Sequence, residues 1–165
     1  MTPDTRVHRP PGGAEPRRNV EMKARVADLA GLRARVAARA TEAPAVIHQV
    51  DTFFPVAHGR LKLRRLVDGR GELIFYERDD TPGPRTSAYS RTACAEAATL
   101  EALLARALGV RGVVAKRREV FLIGRTRVHL DDVRGLGSFL ELEVVLAEGE
   151  PAAEGEREAR ALLAA

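Results

Sequence analysis

The chain has 165 residues, enough for one domain, and 45% of them are hydrophobic while only 4% are aromatic. No apolar stretch approaches the roughly 20 residues of a membrane span, and the N-terminus lacks the apolar region of a secretory signal, so a cytoplasmic protein is expected. The single cysteine, Cys94, excludes an internal disulfide. The formal net charge of +4 hides a gradient, because residues 1–18 carry +2 and residues 148–165 carry −3.

The first part of the chain predicts a tail, a strand and a helix. Residues 1–18 are rich in Pro, Gly and Arg and lack periodicity, which predicts a disordered basic tail before a domain of residues 19–165. The alternation from Asn19 to Val26 predicts a strand with one charged face. Asp28 is a suitable N-cap for a helix over residues 29–40.

The middle and end of the chain predict antiparallel hairpins and further helices. Extended segments separated by Gly- and Pro-containing turns are predicted at residues 46–54, 60–67, 72–78 and 86–92. A second helix is predicted over residues 94–108, with Gly109 at its C-cap. Three more strands are predicted at residues 113–123, 125–131 and 138–145. The acidic, Ala-rich end is compatible with a short amphipathic helix.

Charged side chains share one face of five predicted strands, and the opposite face of each is apolar. For a single strand this pattern is typical of a sheet with one solvated face. The strands together favour another interpretation, because like charges opposite one another destabilise a solvated sheet, and here cations cluster on the middle strands. The charged sets are Glu21, Lys23 and Arg25; Arg60, Lys62 and Arg64; Lys116 and Arg118; Arg127, His129 and Asp131; Glu141 and Glu143.

These charges could share one enclosed space only with a bound anion and a bound metal. Burying an unpaired charge costs on the order of several kcal/mol. A polyphosphate would satisfy the Lys and Arg side chains, and a hard divalent cation would satisfy the carboxylates through oxygen ligation. The pattern therefore predicts an antiparallel β-domain whose interior holds a metal–phosphate complex.

The same strands resemble the CYTH superfamily, the triphosphate tunnel metalloenzymes, which includes class IV adenylyl cyclases, thiamine triphosphatases and inorganic triphosphatases. Residues 19–23 and 139–143 resemble its acidic first and last strands. Residues 59–64 and 116–118 resemble its phosphate-binding strands, and residues 128–139 resemble its strand-loop-strand before the last strand. The resemblance covers nearly all of the predicted domain. It implies an α+β fold, an eight-stranded antiparallel β-barrel forming a tunnel with helices packed outside.

The resemblance also implies roles for the charged side chains. Residues expected to hold Mg²⁺ or Mn²⁺ are Glu21, Asp131, Glu141 and Glu143. Residues expected to bind the triphosphate are Lys23, Arg25, Lys62, Arg64, Arg78, Lys116, Arg118 and Arg127, with Lys23 and Lys62 also expected to be catalytic. Arg60 and Arg91 are further candidates for lining the tunnel. His129 is a candidate general base or a structural hydrogen-bonding residue. Asn19 departs from the pattern, because the family has a glutamate there.

The expected activity is metal-dependent hydrolysis of a small-molecule triphosphate such as ATP, thiamine triphosphate or tripolyphosphate. Two alternatives stay open: a class IV adenylyl cyclase that converts ATP to cyclic AMP and pyrophosphate, and a non-catalytic binder of polyphosphate or a phosphorylated metabolite. Nucleic-acid binding is disfavoured despite the pI of about 9.8, because no stacking set of aromatic residues and no known motif is present. No membrane partner is expected, and homodimerisation stays open.

Overall fold

The computed structural model describes residues 16–78 and 83–164. In these ranges eight strands form one closed antiparallel barrel, in the spatial order β1-β5-β4-β3-β2-β6-β7-β8. The elements are β1 Arg17–Arg25, α1 Leu29–Ala37, β2 Ala45–Phe54, β3 Arg60–Leu66, β4 Gly71–Arg78, β5 Arg85–Cys94, α2 Ala97–Leu108, β6 Gly112–Ile123, β7 Thr126–Val133, β8 Gly137–Val145 and α3 Ala152–Leu163. The predicted α+β barrel with helices outside is thus confirmed.

The barrel closes between strands from opposite ends of the described chain. β1 pairs with β8 in a register that places Glu21 opposite Glu143 and Lys23 opposite Glu141. On its other edge β1 pairs with β5, and of the remaining pairs only that of β2 with β6 joins strands that are not consecutive in the described chain. The acidic first and last strands are therefore direct neighbours.

The hydrophobic core lies outside the barrel, between the sheet and the helices. The outward side chains of β1, β7 and β8, including Val20, Val128 and Leu142, pack with Val36 of α1 and Ala159 of α3. Because the apolar side chains face outward, the alternate side chains of the same strands must face the interior. The predicted inversion of polarity, with the charged faces inside, is what the fold shows.

Local capping interactions account for the start of α1 and the end of α2. The Asp28 side chain caps α1 by accepting a hydrogen bond from the Gly31 backbone N–H at 2.9 Å. Gly109 follows α2 with a φ of 80°, a conformation that favours glycine. None of the helices in the described part of the chain is long and apolar enough to cross a membrane.

Several predicted boundaries differ from the structure. β1 begins at Arg17, so Arg17 and Arg18 of the predicted tail belong to the barrel, and residues 1–15 lie outside the described residues. The first helix ends at Ala37 instead of residue 40. β5 extends to Cys94, which pairs with Gly71, and α2 therefore begins at Ala97 instead of residue 94.

Candidate active site

The barrel encloses a cavity of about 570 Å³ that is lined by side chains from all eight strands. Its lining includes eight Lys or Arg side chains and five Asp or Glu side chains, which leaves a net of three positive charges if His129 is neutral. The cations are Lys23, Lys62, Arg64, Arg78, Arg91, Lys116, Arg118 and Arg127. This excess of positive charge suits an anion that keeps a net negative charge after it has bound a metal ion.

A cationic wall is built by the neighbouring strands β3, β2 and β6, and a buried carboxylate on β2 organises half of it. Asp51 is 2% exposed. Its Oδ2 accepts a hydrogen bond from Lys62 Nζ at 3.3 Å, and its Oδ1 accepts one from Arg64 Nε at 3.0 Å. Burial acts to raise the pKa of Asp51, but the positive charges of Lys62 and Arg64 outweigh burial and lower that pKa to about 2. Asp51 is therefore ionised and holds both cations in place.

A second buried carboxylate organises the other half of the cationic wall. Asp131 on β7 is 0% exposed and accepts hydrogen bonds from Arg118 Nε at 2.6 Å, Arg118 Nη2 at 2.7 Å and Lys116 Nζ at 2.9 Å. Burial acts to raise the pKa of Asp131, but Arg118 and Lys116 lower it. Asp131, predicted as a metal ligand, is thus engaged on both oxygens with cations, and it lies outside the cavity lining.

An acidic wall on β1 and β8 lies across the cavity from β2 and β3, and it meets the cationic wall where Arg118 contacts Glu141. In the barrel order β1 lies opposite β2, and β8 lies opposite β3. This wall carries Glu21, Glu141 and Glu143. Burial, and next the negative charge of Glu141, raises the pKa of Glu21, and Glu143 adds to the effect. The three carboxylates are therefore close enough to repel one another, and a bound cation would relieve that repulsion.

Each carboxylate of the acidic wall also accepts a hydrogen bond from an Arg side chain. Glu21 accepts a hydrogen bond from Arg78 at 3.0 Å, and Glu143 accepts one from Arg127 at 3.0 Å. Glu141 accepts one from Arg118 at 3.3 Å. Burial acts to raise the pKa of Glu141, but Arg118 and His129 lower it well below its usual range. Each acidic side chain of this wall therefore faces the cavity with an Arg side chain beside it.

Asn19 supplies a further oxygen at the acidic wall. It is 1% exposed, and its Nδ2 donates a hydrogen bond to Glu143. Its Oδ1 is buried and has no hydrogen-bond partner in the described part of the chain. A buried amide oxygen beside carboxylates fits the oxygen ligands that Mg²⁺ and Mn²⁺ prefer, so the donor set of Asn19, Glu21, Glu141 and Glu143 suits such an ion. Among residues 16–78 and 83–164, no three His, Cys, Asp or Glu side chains are already drawn together as a metal cluster.

His129 lies between two residues of the acidic wall. Its Nδ1 is 3.4 Å from Glu141 Oε1, and its Nε2 is 3.7 Å from Glu143 Oε2. Burial, and next the positive charge of Arg118, lowers the pKa of His129, which favours the neutral imidazole. A neutral imidazole has one N–H and can donate to one of the two carboxylates, and Glu141, at 3.4 Å, is the nearer.

Seven of the eight predicted phosphate-binding residues line the cavity, and Arg25 does not. Arg25 is exposed, donates a hydrogen bond to the Leu136 carbonyl at 2.9 Å and lies 5.1 Å from the Phe139 ring centroid. Arg78, whose strand parity is ambiguous in the sequence, faces inward, and so does the further candidate Arg91; Arg60 is not part of the cavity lining. The roles of these residues toward phosphate and metal stay predictions.

Sequence reasoning missed several polar residues of the cavity. Gln49 and Asp51 occur two residues apart within the predicted strand 46–54, and their shared parity was the available signal. Gln49 is 3% exposed and donates a hydrogen bond from Nε2 to Asp51 Oδ1 at 3.1 Å. The other missed polar residues that line the cavity are Glu72, Tyr76, Ser87 and Tyr89.

Comparisons with known proteins agree with this geometry. The family model for the CYTH domain matches residues 17–164. The PH1012 protein from Pyrococcus horikoshii OT3 superposes with a TM-score of 0.77 at 20% identity, over 87% of both chains. An adenylate cyclase candidate from Vibrio parahaemolyticus superposes with a TM-score of 0.69 at 20% identity, over 88% of this chain and 86% of that chain.

A plant protein shares the fold at lower identity. HpAC1 from Hippeastrum, an adenylyl cyclase candidate with a dominant triphosphatase activity, superposes with a TM-score of 0.62 at 13% identity, over 90% of this chain and 84% of that chain. The sequence has no significant match among curated proteins. The structural likenesses show the barrel, and the family model covers nearly the whole described chain, so this protein belongs to the CYTH domain family.

Proposed function

We propose that the protein is a divalent-metal-dependent triphosphatase that hydrolyses a small-molecule triphosphate inside the barrel. The observation that carries this proposal is a cationic wall on β3, β2 and β6 facing an acidic wall on β1 and β8 across one cavity. Phosphoryl transfer depends mainly on positioning and on neutralising charge, and these two walls supply both.

The cationic wall would bind the phosphate oxygens. Lys62, Arg64, Lys116 and Arg118 are held by the two buried aspartates, so little side-chain ordering is required when the substrate binds. Guanidinium groups match pairs of phosphate oxygens, and the ammonium groups act as point charges beside them. Lys23 lies across the cavity, 4.0 Å from Glu141, and would contact the phosphate nearest the acidic wall.

The acidic wall would hold Mg²⁺ or Mn²⁺ through Glu21, Glu141 and Glu143, with the Asn19 amide oxygen as a neutral ligand. The chemistry that such an ion supplies is neutralisation of charge on the phosphate oxygens. In hydrolysis, a water oxygen bonds to the terminal phosphorus, the bond to the bridging oxygen breaks, and orthophosphate leaves with one of the water protons. The other proton passes to solvent.

A second candidate function is cyclisation of ATP, which draws support from the structural likeness to the adenylate cyclase candidate from Vibrio parahaemolyticus. It would use the same walls, with the ribose 3′-hydroxyl attacking the α-phosphorus. Triphosphate hydrolysis is favoured because it requires only the phosphate and metal walls, and because the Hippeastrum protein of this fold has a dominant triphosphatase activity.

One assay series separates these functions. Purified protein with Mg²⁺ or Mn²⁺ is given ATP, thiamine triphosphate or tripolyphosphate, and orthophosphate, pyrophosphate and cyclic AMP are measured. We expect orthophosphate release that stops when EDTA is added. Cyclic AMP with pyrophosphate would instead identify a cyclase. Thermal stabilisation by tripolyphosphate without any product would identify a non-catalytic binder.

A further inference from the structure

Gln49 carries a buried oxygen atom whose hydrogen-bonding capacity is unused. The side chain is 3% exposed, lines the cavity and donates a hydrogen bond from Nε2 to Asp51 Oδ1 at 3.1 Å. Its Oε1 is buried and has no hydrogen-bond partner within residues 16–78 and 83–164. A buried carbonyl oxygen without a partner costs on the order of 1–3 kcal/mol, which indicates a ligand group that donates a hydrogen bond to it.

Asp51 fixes the orientation of the Gln49 amide. The cations around Asp51 lower its pKa to about 2, so it is ionised, and a carboxylate only accepts hydrogen bonds. The NH₂ group of Gln49 must therefore face Asp51, because the reversed amide would place two acceptor oxygens against each other. Oε1 is thus the part of the amide that stays available to a ligand in the cavity.

The chemistry of Oε1 limits what it can bind. An amide oxygen accepts hydrogen bonds and cannot donate one, so it cannot pair with an ionised phosphate oxygen. Its surroundings are cationic, since Lys116 is the direct partner of Gln49 on β6. Asp51, two residues along β2, holds Lys62 and Arg64. This concentration of positive charge disfavours a metal ion at Oε1. A neutral hydrogen-bond donor suits the position, and water is the smallest such donor.

Gln49 lies where the cationic wall ends. Toward the start of β2, the next inward residues on β2, β3 and β6 are aliphatic: Ile47, Leu66 and Val120. A terminal phosphate held by the last cations of this wall would therefore have Gln49 beside it and the mouth of the cavity beyond it. In phosphoryl transfer the attacking and leaving oxygens lie roughly in line, on opposite sides of phosphorus. A nucleophile that enters from this mouth would thus reach phosphorus next to Gln49.

We infer that Gln49 binds the water molecule that attacks the terminal phosphate of the substrate. This inference rests on the proposed function and assigns a residue to its nucleophile. Oε1 accepts a hydrogen bond from one O–H of the water, which directs the water oxygen at phosphorus. That oxygen bonds to phosphorus as the bond to the bridging oxygen breaks, and the bridging oxygen keeps the electron pair. Gln49 takes no proton: one water proton stays on the orthophosphate and the other passes to solvent.

Gln49→Met tests this inference, because Met has a similar length and its thioether is only a weak acceptor. The substrate is whichever of ATP, thiamine triphosphate and tripolyphosphate the wild type hydrolyses fastest. We expect kcat for orthophosphate release to fall about 10- to 100-fold, because the water is no longer aligned. The Kd of the same compound, measured by calorimetry in EDTA to prevent turnover, should stay within about twofold, since the cations that bind phosphate are unchanged.

His48→Met is the matched control, because His48 is the neighbouring residue of β2 and is exposed on the outer face of the barrel. This variant should leave both kcat and Kd within about twofold of the wild type. Gln49→Asn provides a second variant in case Gln49→Met fails to fold. It keeps the amide but shortens the side chain by one methylene, so the same loss of alignment should lower kcat.

The outcomes separate this inference from the proposed function. An active wild type with an unchanged kcat in Gln49→Met and Gln49→Asn would overturn the inference alone. A rise in Kd as large as the fall in kcat would also overturn it, because Gln49 would then act only by supporting Asp51 and its cations. A wild type that releases no orthophosphate from any of the three compounds would overturn the proposed function, and the inference with it.

Discussion

At the scale of single residues, the buried aspartates explain how a dense group of cations can exist before any substrate binds. Asp51 and Asp131 each hold one Lys and one Arg side chain from a neighbouring strand. Burial lowers the pKa of Lys62 and of Lys116, and the adjacent aspartates counteract that effect. Each aspartate is therefore a counter-ion that keeps its pair of cations charged and in position.

Replacing Asp51 with Asn should cost about 3–5 kcal/mol of the free energy of unfolding at pH 7, because Lys62 and Arg64 lose a buried partner. The pKa of Asp51 is lowered from its usual value to about 2 in the fold. Its stabilisation is thus present above the unfolded-state pKa of about 3.9 and is lost as the pH falls through about 2. Urea unfolding at pH 7, 5 and 3 should show a smaller pH dependence in Asp51→Asn than in the wild type.

Asp132→Asn is the matched control for this prediction, because Asp132 is exposed on the outer face of β7. We expect its free energy of unfolding to stay within about 0.5 kcal/mol of the wild type at each pH. Equal destabilisation by the two variants would contradict the role assigned to Asp51.

Replacing Glu143 with Gln should abolish metal-dependent turnover and leave the protein folded. The side chain faces the cavity beside Asn19 and Arg127 and does not belong to the hydrophobic core. Losing one carboxylate of the metal set should lower kcat by about 100-fold or more. Kinetic assays at saturating Mn²⁺ measure the turnover, and a circular dichroism melt shows whether the variant is folded. Glu77→Gln changes an exposed carboxylate and should retain activity; undiminished turnover in Glu143→Gln would sink the metal assignment.

At the scale of elements, the helices pack on the outer face of the barrel. α2 lies against β3 and β2, where Arg65 pairs with Glu101 at 2.7 Å and Thr52 donates a hydrogen bond to Glu101. The first residue of β4, Gly71, lies directly beneath Ala97 at the start of α2. This close approach leaves no room for a side chain.

Gly71→Ala should destabilise the protein, and Gly112→Ala should not, although each glycine begins a strand. A Cβ at Gly71 would lie 2.3 Å from the Arg64 carbonyl oxygen and 2.8 Å from Ala97 Cβ, whereas a Cβ at Gly112 would meet nothing within 4 Å. We expect a loss of about 1–3 kcal/mol for Gly71→Ala, or a decrease in Tm of about 2–12 °C. Differential scanning calorimetry measures the Tm of both variants. Equal Tm values would contradict the close packing of Gly71 against Ala97.

The sequence predicted the elements well where the signal is local. The alternation of polar and apolar residues predicted eight strands. Comparison of the charged faces of these strands predicted that the charged side chains point into the barrel. The junction of β5 and α2 was misplaced because Ala93 and Cys94 pair with Glu72 and Gly71, and such pairing across strands leaves no local signal. The partners of Asp51 could not be predicted for the same reason, since Lys62 and Arg64 belong to the next strand. The prediction that Asp131 binds a metal was made without knowledge of Lys116 and Arg118 at its two oxygens, because a lone strand does not show its cross-strand partners.

At the scale of the whole molecule, the cavity carries a net positive charge that an anionic ligand would balance. A ligand that binds only the folded state raises stability by about 2.7 kcal/mol when its concentration is 100 times its Kd. Tripolyphosphate with Mg²⁺ should therefore raise Tm by roughly 5–10 °C under those conditions. The increase should shrink in high salt, because screening weakens the attraction between the phosphates and the cavity.

Differential scanning fluorimetry measures this stabilisation, with NaCl at matched ionic strength as the control. NaCl should produce a much smaller change, because chloride cannot bridge several cations at once. An increase in Tm of the same size with NaCl alone would show that general screening, and not binding in the cavity, accounts for the effect.

The pairing of β1 with β8 also fixes when the barrel can close as the chain is synthesised. Glu21 lies opposite Glu143, so the acidic wall is assembled from segments more than a hundred residues apart. Translation produces the cationic strand β3 well before β8, and long-range strand pairing is the slow part of folding. A growing chain therefore exposes clustered positive charge before it can complete the acidic wall. Barrel closure by β8 is the step that makes the binding site whole.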